Sequence, residues 1–414
     1  MKILMLNWRC PTNPKSGGAE YVTRKHLEAW VLAGHEVHWL AGGYPGAKPY
    51  EKLDISPKTR EQCKAVIPDR HPDPAVAGLS AGEAGEGSTP PLSTFDFRLS
   101  TTSQVVHLHR FGSPLTIYLL APLLYWFKWR GNFDLVIDQI HGIPFLSPLW
   151  AWKSRKIAFI HEVAQSIWDL MVPWPTNIIG KLYERLYFLL YRHVPFWVDS
   201  NSTKDDLIRY GIQPSLIHVI PCAIDLEPVT EVPEKEKALT FIFLARLVKM
   251  KGIEDALRII AEIKKTTPDV KLWVVGGGDP SYVSHLQDMT KELGIEPNVE
   301  FKGRVDEEAK VALLRRAHWL LHTSMREGFG LTVLEANSQG TPVVTLKTKG
   351  LEDVLQNGLN SIRCIENRLD ELADILPKSA QYQSLAASSI RESSEYSWQR
   401  ILSHSLYYIN KFVT

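Results

Sequence analysis

The string Ser324 to Ala336, SMREGFGLTVLEA, sets two carboxylates, Glu327 and Glu335, either side of the glycines Gly328 and Gly330. Glycine lets backbone come close to a ligand. Past Phe329 and Gly330, the N–H groups near Leu331 and Thr332 open a helix, and an open helix N-terminus is a ready anion site. A carboxylate accepts from two neighbouring hydroxyls at once, so it suits vicinal diols. A second set is Arg246 and Lys251 in LARLVKMKG. Two unit charges 4 Å apart attract by roughly 4 kcal/mol at an effective dielectric of about 20. Cations so placed stabilise charge developing on a departing phosphate. The helix N-terminus adds roughly 0.3 to 2 kcal/mol, so the two cations dominate. Further candidates are His161 with Glu162, Gly17 and Gly18 in NPKSGGAE, and the run Gly276 to Asp279 with Gly277 at its centre. Taken singly these are weak. Either glutamate alone reads as surface decoration, Arg246 and Lys251 as a solvated loop, His161 as a structural histidine.

The elements that must position these groups alternate along the chain as strand and helix, which argues for an α/β architecture. Short apolar runs at Ile3 to Leu6, Glu36 to Ala41, Leu135 to Asp138, Ile157 to Ile160, Phe196 to Ser200 and His218 to Ile220 read as parallel strands. A helix is expected from about Ala19 to Ala33, closed by Gly34. A second series follows, with strands at Thr240 to Leu244, Lys271 to Val275, Val299 to Lys302, Trp319 to Thr323 and Thr341 to Leu346. Helices fall at Ile253 to Lys264, Glu307 to Arg316 and Leu331 to Gln339. The pattern predicts two doubly wound, Rossmann-like domains facing a cleft, with ligands at the carboxyl ends of the strands. Residues 1–225 form the first domain, 226–239 a charged, Pro-containing linker, 240–396 the second domain, and 397–414 a C-terminal helix that could return to the first. Residues 55–102 are rich in Pro, Gly, Ser and Ala and read as a disordered insertion.

Composition narrows the class. The 414 residues exceed what a single core usually serves. Lys plus Arg number 47 against 46 Asp plus Glu, so no overall field draws nucleic acid. Cys10, Cys63, Cys222 and Cys364 form no CxxC pair and read as free thiols. No Asp-x-Asp occurs anywhere, which removes the usual ligand pattern of metal-dependent sugar transfer and leaves no expected metal site.

Taken together, GFG between two glutamates, LARLVKMKG, the glycine loop after the first strand and His161 resemble family 4 glycosyltransferases, whose fold is called GT-B. The resemblance implies a retaining, metal-independent hexosyltransferase moving a sugar from a nucleotide-sugar donor to a glycan, lipid-linked or small-molecule acceptor, as in polysaccharide biosynthesis. The donor is a co-substrate, and no cofactor is implied. By resemblance Arg246 and Lys251 grip the donor diphosphate, Glu335 binds the ribose, Glu327 the hydroxyls of the sugar, and His161 the sugar or its phosphate. Gly17, Gly18, Gly277, Phe329, Gly330, Leu331 and Thr332 complete the donor-binding set. At residue 162 this chain carries Glu where the family usually has Asp. Three other readings compete: an NAD-dependent enzyme, disfavoured because the loop after the first strand lacks GxGxxG; a nucleotide-sugar epimerase; and a non-catalytic nucleotide-sugar binder.

Two segments, Leu115 to Arg130 and Ile178 to Arg192, mix Leu, Tyr, Trp and Phe with Lys and Arg. That suits a core helix with snorkelling basic ends and equally a helix lying in a lipid headgroup region. Core is the favoured reading. The first apolar run is too short for a signal peptide. The stretch 114–127 falls short of the roughly 20 residues that span a bilayer. The expectation is a cytoplasmic protein, at most peripheral on the inner face of a membrane.

Overall fold

The computed structural model describes residues 1–64, 104–165, 167–346, 348, 350–355, 359–363 and 379–412. The chain divides into two units: Met1–Asp199, Thr203–Cys222 and Trp398–Thr414 in the first, Ser200–Ser202 and Ala223–Ser397 in the second. In chain order the first unit and its boundary carry β1 (Lys2–Leu6), α1 (Gly18–Leu32), β2 (Glu36–Ala41), β3 (Tyr50–Asp54), α2 (Pro57–Lys64), β4 (Val105–Arg110), α3 (Ile117–Leu123), β5 (Leu135–Ile140), β6 (Arg155–Ile160), α4 (Ile167–Met171), α5 (Thr176–Tyr191), β7 (Phe196–Val198), α6 (Asn201–Arg209) and β8 (Ile217–Val219). Among the described residues these strands form one sheet in the order β3-β4-β2-β1-β5-β6-β7-β8. All neighbours run parallel except β3, which pairs antiparallel with β4 at the edge.

Strand β5 shows how this sheet is covered. Its side chains alternate faces with period two. Val136 and Ile140 join cores with α3 and α5, and Asp138 accepts from the Tyr191 hydroxyl of α5. Gln139 points the other way and donates to Thr23 of α1 at 2.8 Å. The last helix, α12 (Trp398–Asn410), packs on α1: Trp30 donates to Ser405 at 2.9 Å, and Trp398 meets the rings of Tyr21 and His26. So α3 and α5 lie on one face of the sheet, α1 and α12 on the other.

Two expectations are corrected. The segments taken for core helices are buried along one stripe only. Ile117, Ala121 and Tyr125 are fully buried, yet Leu119 and Phe127 stand 77% and 81% exposed. Pro122 breaks the pattern, since it lacks an N–H, and a π-turn over Leu124–Lys128 follows. The expected disordered insertion begins too early. Its first residues form α2, where Thr59 and Cys63 are fully buried and Thr59 donates to Glu28 of α1. Residues 65–102, the rest of that expectation, lie outside the described residues.

The second unit carries β9 (Thr240–Leu244), α7 (Ile253–Lys264), β10 (Lys271–Val275), α8 (Pro280–Glu292), β11 (Val299–Gly303), α9 (Glu307–Arg316), β12 (Trp319–His322), α10 (Leu331–Ser338), β13 (Val343–Thr345), β14 (Ser361–Arg363) and α11 (Ser379–Ser394). Its described strands form a parallel sheet, β11-β10-β9-β12-β13-β14. Ile253, Leu257 and Ile260 recur along one side of α7 and pack on Phe241, Phe243 and Val274. Each such fully buried side chain contributes about 1.5 to 3 kcal/mol. Residues 229–236 lie along this unit: Val229 N–H donates to Ser338 O, Glu236 N–H to Arg316 O.

What positions the site is the carboxyl edge of this second sheet. The loops leaving β9, β10, β12 and β13 are tied to one another. Leu247 N–H donates to Gly277 O at 3.0 Å and Met325 N–H to Met250 O at 3.0 Å. The hydroxyls of Thr323 and Thr348 donate to Gly252 O and Ser324 O, each at 2.7 Å. Four loops thus make one rim.

Candidate active site

On that rim Lys251 and Glu327 meet, Nζ to Oε1, at 2.6 Å. Lys251 ends a short 3-10 turn, Lys249–Lys251, and Gly252 turns the chain into α7 with φ 70°. Only glycine fits there, because a Cβ would lie 2.0 Å from Thr323 O. The close approach of Gly252 to Thr323 is what sets Lys251 beside the 323–330 loop. His322 Nε2 lies 3.3 Å from the same Glu327 oxygen. Burial pushes the Glu327 carboxyl up, but the Lys251 charge and the His322 ring outweigh it and hold the group well below the usual carboxylate range. Glu327 is therefore ionised at neutral pH, an acceptor for hydroxyls.

Three residues further, Gly330 (φ 95°) caps α10. The first N–H groups of any helix lack partners within it, and here they belong to Leu331 and Thr332. One turn on, Glu335 accepts from Lys310 of α9 at 2.7 Å, and Lys310 also lies 2.9 Å from Glu307. Burial pushes the Glu335 carboxyl up, and Lys310 opposes that only in part. Arg246 is exposed just past β9, on the backbone stretch that lies against Gly276–Gly278.

The first unit has its own polar cluster at the carboxyl edge of its sheet. His161, just past β6, donates from Nδ1 to Asp199, just past β7. Its Nε2 lies 2.7 Å from Gln139 Nε2, and Gln139 accepts from Asn7 at 2.7 Å. Burial lowers the proton affinity of the His161 ring, and the Asp199 carboxylate more than restores it. An amide N–H facing Nε2 calls for an acceptor there, which suits the neutral ring carrying its proton on Nδ1. Gly17 caps α1, and its N–H donates to Glu20 at 2.8 Å, so that carboxylate closes the start of the helix.

Comparison with known proteins decides the family. The sequence pattern described as Glycosyltransferase Family 4 matches residues 16–228, half of the chain, and that of Glycosyl transferases group 1 matches residues 229–391. The chain belongs to glycosyltransferase family 4. Along nearly its whole length it is 24% identical to a glycogen synthase of Mycobacterium tuberculosis, covering 97% of this chain and 92% of that one. The fold matches sucrose-phosphate synthase from Thermosynechococcus elongatus at a TM-score of 0.70 and 16% identity, over 100% of this chain and 99% of that one. It also matches Anabaena HepE in complex with UDP-glucose at 0.65 and 16%, over 99% and 100%. The two mostly parallel sheets are those of the GT-B fold.

For this family 4 glycosyltransferase the structure brings Lys251 into contact with Glu327 and sets Glu335 apart with Lys310. The Phe329 side chain is buried against Tyr396, ring centroids 5.7 Å apart. Gly277 lies under an arginine: a Cβ there would sit 2.9 Å from Arg304 Nε. Sequence reading passed over Asn7, Gln139, Asp199, His322, Arg304 and Lys310. A signal existed for three of them. Asn7 and Asp199 are polar residues that end apolar strand runs, Gln139 one within such a run, all at the carboxyl edge where ligands of doubly wound sheets sit. Lys310 carried no signal, because helix pairing alone fixes its neighbour.

Proposed function

We propose that the chain transfers a hexosyl group from a nucleoside-diphosphate sugar to a glycan or lipid-linked hydroxyl acceptor, with retention at the anomeric carbon and without a metal ion. The observation that carries the reading is the Lys251–Glu327 contact of 2.6 Å. In a sugar nucleotide the sugar is bonded directly to the distal phosphate. A cation for that phosphate and a carboxylate for a sugar hydroxyl must therefore be neighbours, and these two are. The amides of Leu331 and Thr332 add donors for the same phosphates.

The chemistry follows from charge. As the bond from C1 to the phosphate oxygen breaks, negative charge grows on the diphosphate, and Lys251 with Arg246 stabilises it. The acceptor oxygen bonds C1 on the face the phosphate leaves, and its proton passes to the departing phosphate oxygen. Glu327 orients the sugar through its hydroxyls, Glu335 takes the ribose diol, and His161, held by Asp199, helps orient the sugar. Lys251, Arg246 and the two amides meet the charge in this scheme, which is why no metal is invoked. HepE was crystallised with UDP-glucose, so UDP-sugars are the first donors to try.

The test is donor consumption with UDP-, GDP- and ADP-hexoses, with and without added acceptors, followed by NMR of the product. Expected are turnover that requires an acceptor, an unchanged anomeric configuration, and indifference to EDTA. Donor conversion with no acceptor present, an inverted product, or loss of turnover in EDTA would each contradict the scheme.

A further inference from the structure

The outer faces of α3 and α5, on the same side of the first unit's sheet, carry large apolar side chains that none of the described residues covers. Leu115, Leu119, Leu123 and Phe127 follow at four-residue spacing, so they line one side of α3 and its π-turn. On α5 the corresponding stripe runs through Ile179, Leu182, Leu186 and Leu189, all more than half exposed. Both helices lie over β5: Val136 packs with Ile117 and Ala121 of α3, Ile140 with Tyr187 and Phe188 of α5, and Tyr118 and Tyr183 both feel the Asp138 carboxylate between them. Two tryptophans extend the surface, Trp152 and Trp174, at 65% and 77% exposure. Monomeric soluble proteins rarely show apolar patches of this extent without a partner for them.

Positive charges predominate around the patch. Lys128 and Arg130 follow α3, Lys153 stands beside Trp152, and Arg185 and Arg192 flank the α5 stripe, all exposed. Over 115–130 and 147–156 the sequence has no acidic residue. Along α4 and α5, Asp169 is paired with Lys181 at 2.6 Å, and Glu184 is fully buried, accepting from Trp168.

From this we infer that the α3–α5 face docks on an anionic lipid surface, apolar side chains among the acyl-chain ends and cations at the headgroups. Among the described residues no helix is long and apolar enough to cross a bilayer, so the contact is with its surface. A second copy of the chain is the poorer occupant. A two-fold interface would set these same cations against each other, and interface cores are depleted in lysine and other charges. Exposed tryptophans at the level of basic side chains are the pattern of a membrane interface. The docking stands independently of sugar transfer. The consequence for the acceptor rests on that reading: a first unit held at a bilayer favours a lipid-linked hydroxyl.

The experiment is flotation of the full chain with phosphatidylcholine vesicles, with and without 30% phosphatidylglycerol, at about 0.05 and 0.5 M salt, the higher of which cuts the screening length severalfold. The wild type should float with the anionic vesicles at low salt and at least tenfold less with neutral lipid or at high salt. Phe127→Ser/Trp174→Ser and Lys128→Glu/Arg185→Glu change exposed side chains only. Both should melt as the wild type does and lose binding at least tenfold. Sedimentation of the same samples reads self-association, and titration with UDP reads the donor site separately. Absence of flotation at low salt, full binding by either variant, or a dimer that both variants dissolve would overturn the inference.

Discussion

Lys310 is the residue on which the ribose-binding carboxylate of this account depends. Glu335 is buried enough to be pushed toward its neutral form, and the Lys310 ammonium at 2.7 Å opposes this. A neutral carboxyl accepts fewer hydrogen bonds from a diol than a carboxylate does. Lys310→Met should therefore raise the donor KM about tenfold at pH 6.5 with kcat little changed, given that charge-assisted hydrogen bonds are worth roughly 1.5 to 3 kcal/mol. Removing the cation moves the Glu335 pKa up, so the defect should shrink as pH rises to about 8.5 and the carboxyl ionises again. Lys310→Arg should restore the donor KM. A defect of equal size at both pH values would assign Lys310 to packing instead. The contrast with Glu327 is instructive, since sequence set both glutamates in one motif. Their partners, Lys251 and Lys310, come from different elements, and only the first was legible, as part of a motif of its own.

At the scale of elements, the site is made by loops that glycine allows to touch. Gly276, at φ 139°, would put a Cβ 1.8 Å from Ala245 O, and the next residues run beside Arg246 and Leu247. Gly276→Ala should cost about 3 kcal/mol in urea denaturation, the upper range for backbone strain, and should weaken donor binding by displacing the Arg246 loop. Gly294→Ala serves as a control: its φ is 65°, nothing lies within 4 Å of the added Cβ, and the cost should be about 1 kcal/mol. Equal costs at the two positions would mean that the loop contact does not shape the site. The buried parallel strands were legible because they read as short apolar runs between turns. Strand β4 was not, because VVHLHR alternates with histidines, and His38, His107 and His109 stack on one another in the sheet. Helices α3 and α5 misled for a related reason: apolar residues occur all round them, and sequence cannot say which stripe is covered.

The whole molecule carries a signature in its stability. Burial among Trp30, Trp197 and Trp398 lowers the pKa of His26 to about 3, and burial lowers His35 to about 4 and His109 to about 3. Each is neutral in the folded chain and titrates near 6.5 when unfolded. Below pH 6.5 the unfolded state binds the extra proton, so the stability present above that pH is lost as pH falls toward 4. One such group costs about 2 kcal/mol by pH 5, a large share of a typical margin of roughly 5 to 15 kcal/mol. Melting temperature should fall steadily from pH 7 to 5, and a flat profile would mean that these rings gain water on acidification. Two Rossmann-like units were legible in the length and the repeated strand–helix pattern. The buried histidines were not, because burial is a property of packing.

Whether a diphosphate is held by Arg246 and Lys251 is most directly read by calorimetric titration of UDP, GDP and ADP into the wild type and into Arg246→Ala/Lys251→Ala. Removing two cations from a phosphate, at roughly 1.5 to 3 kcal/mol each, should weaken the preferred nucleotide at least 100-fold while the variant keeps its fold. Undiminished affinity in the double variant, or no binding of any of the three nucleotides by the wild type, would contradict the account.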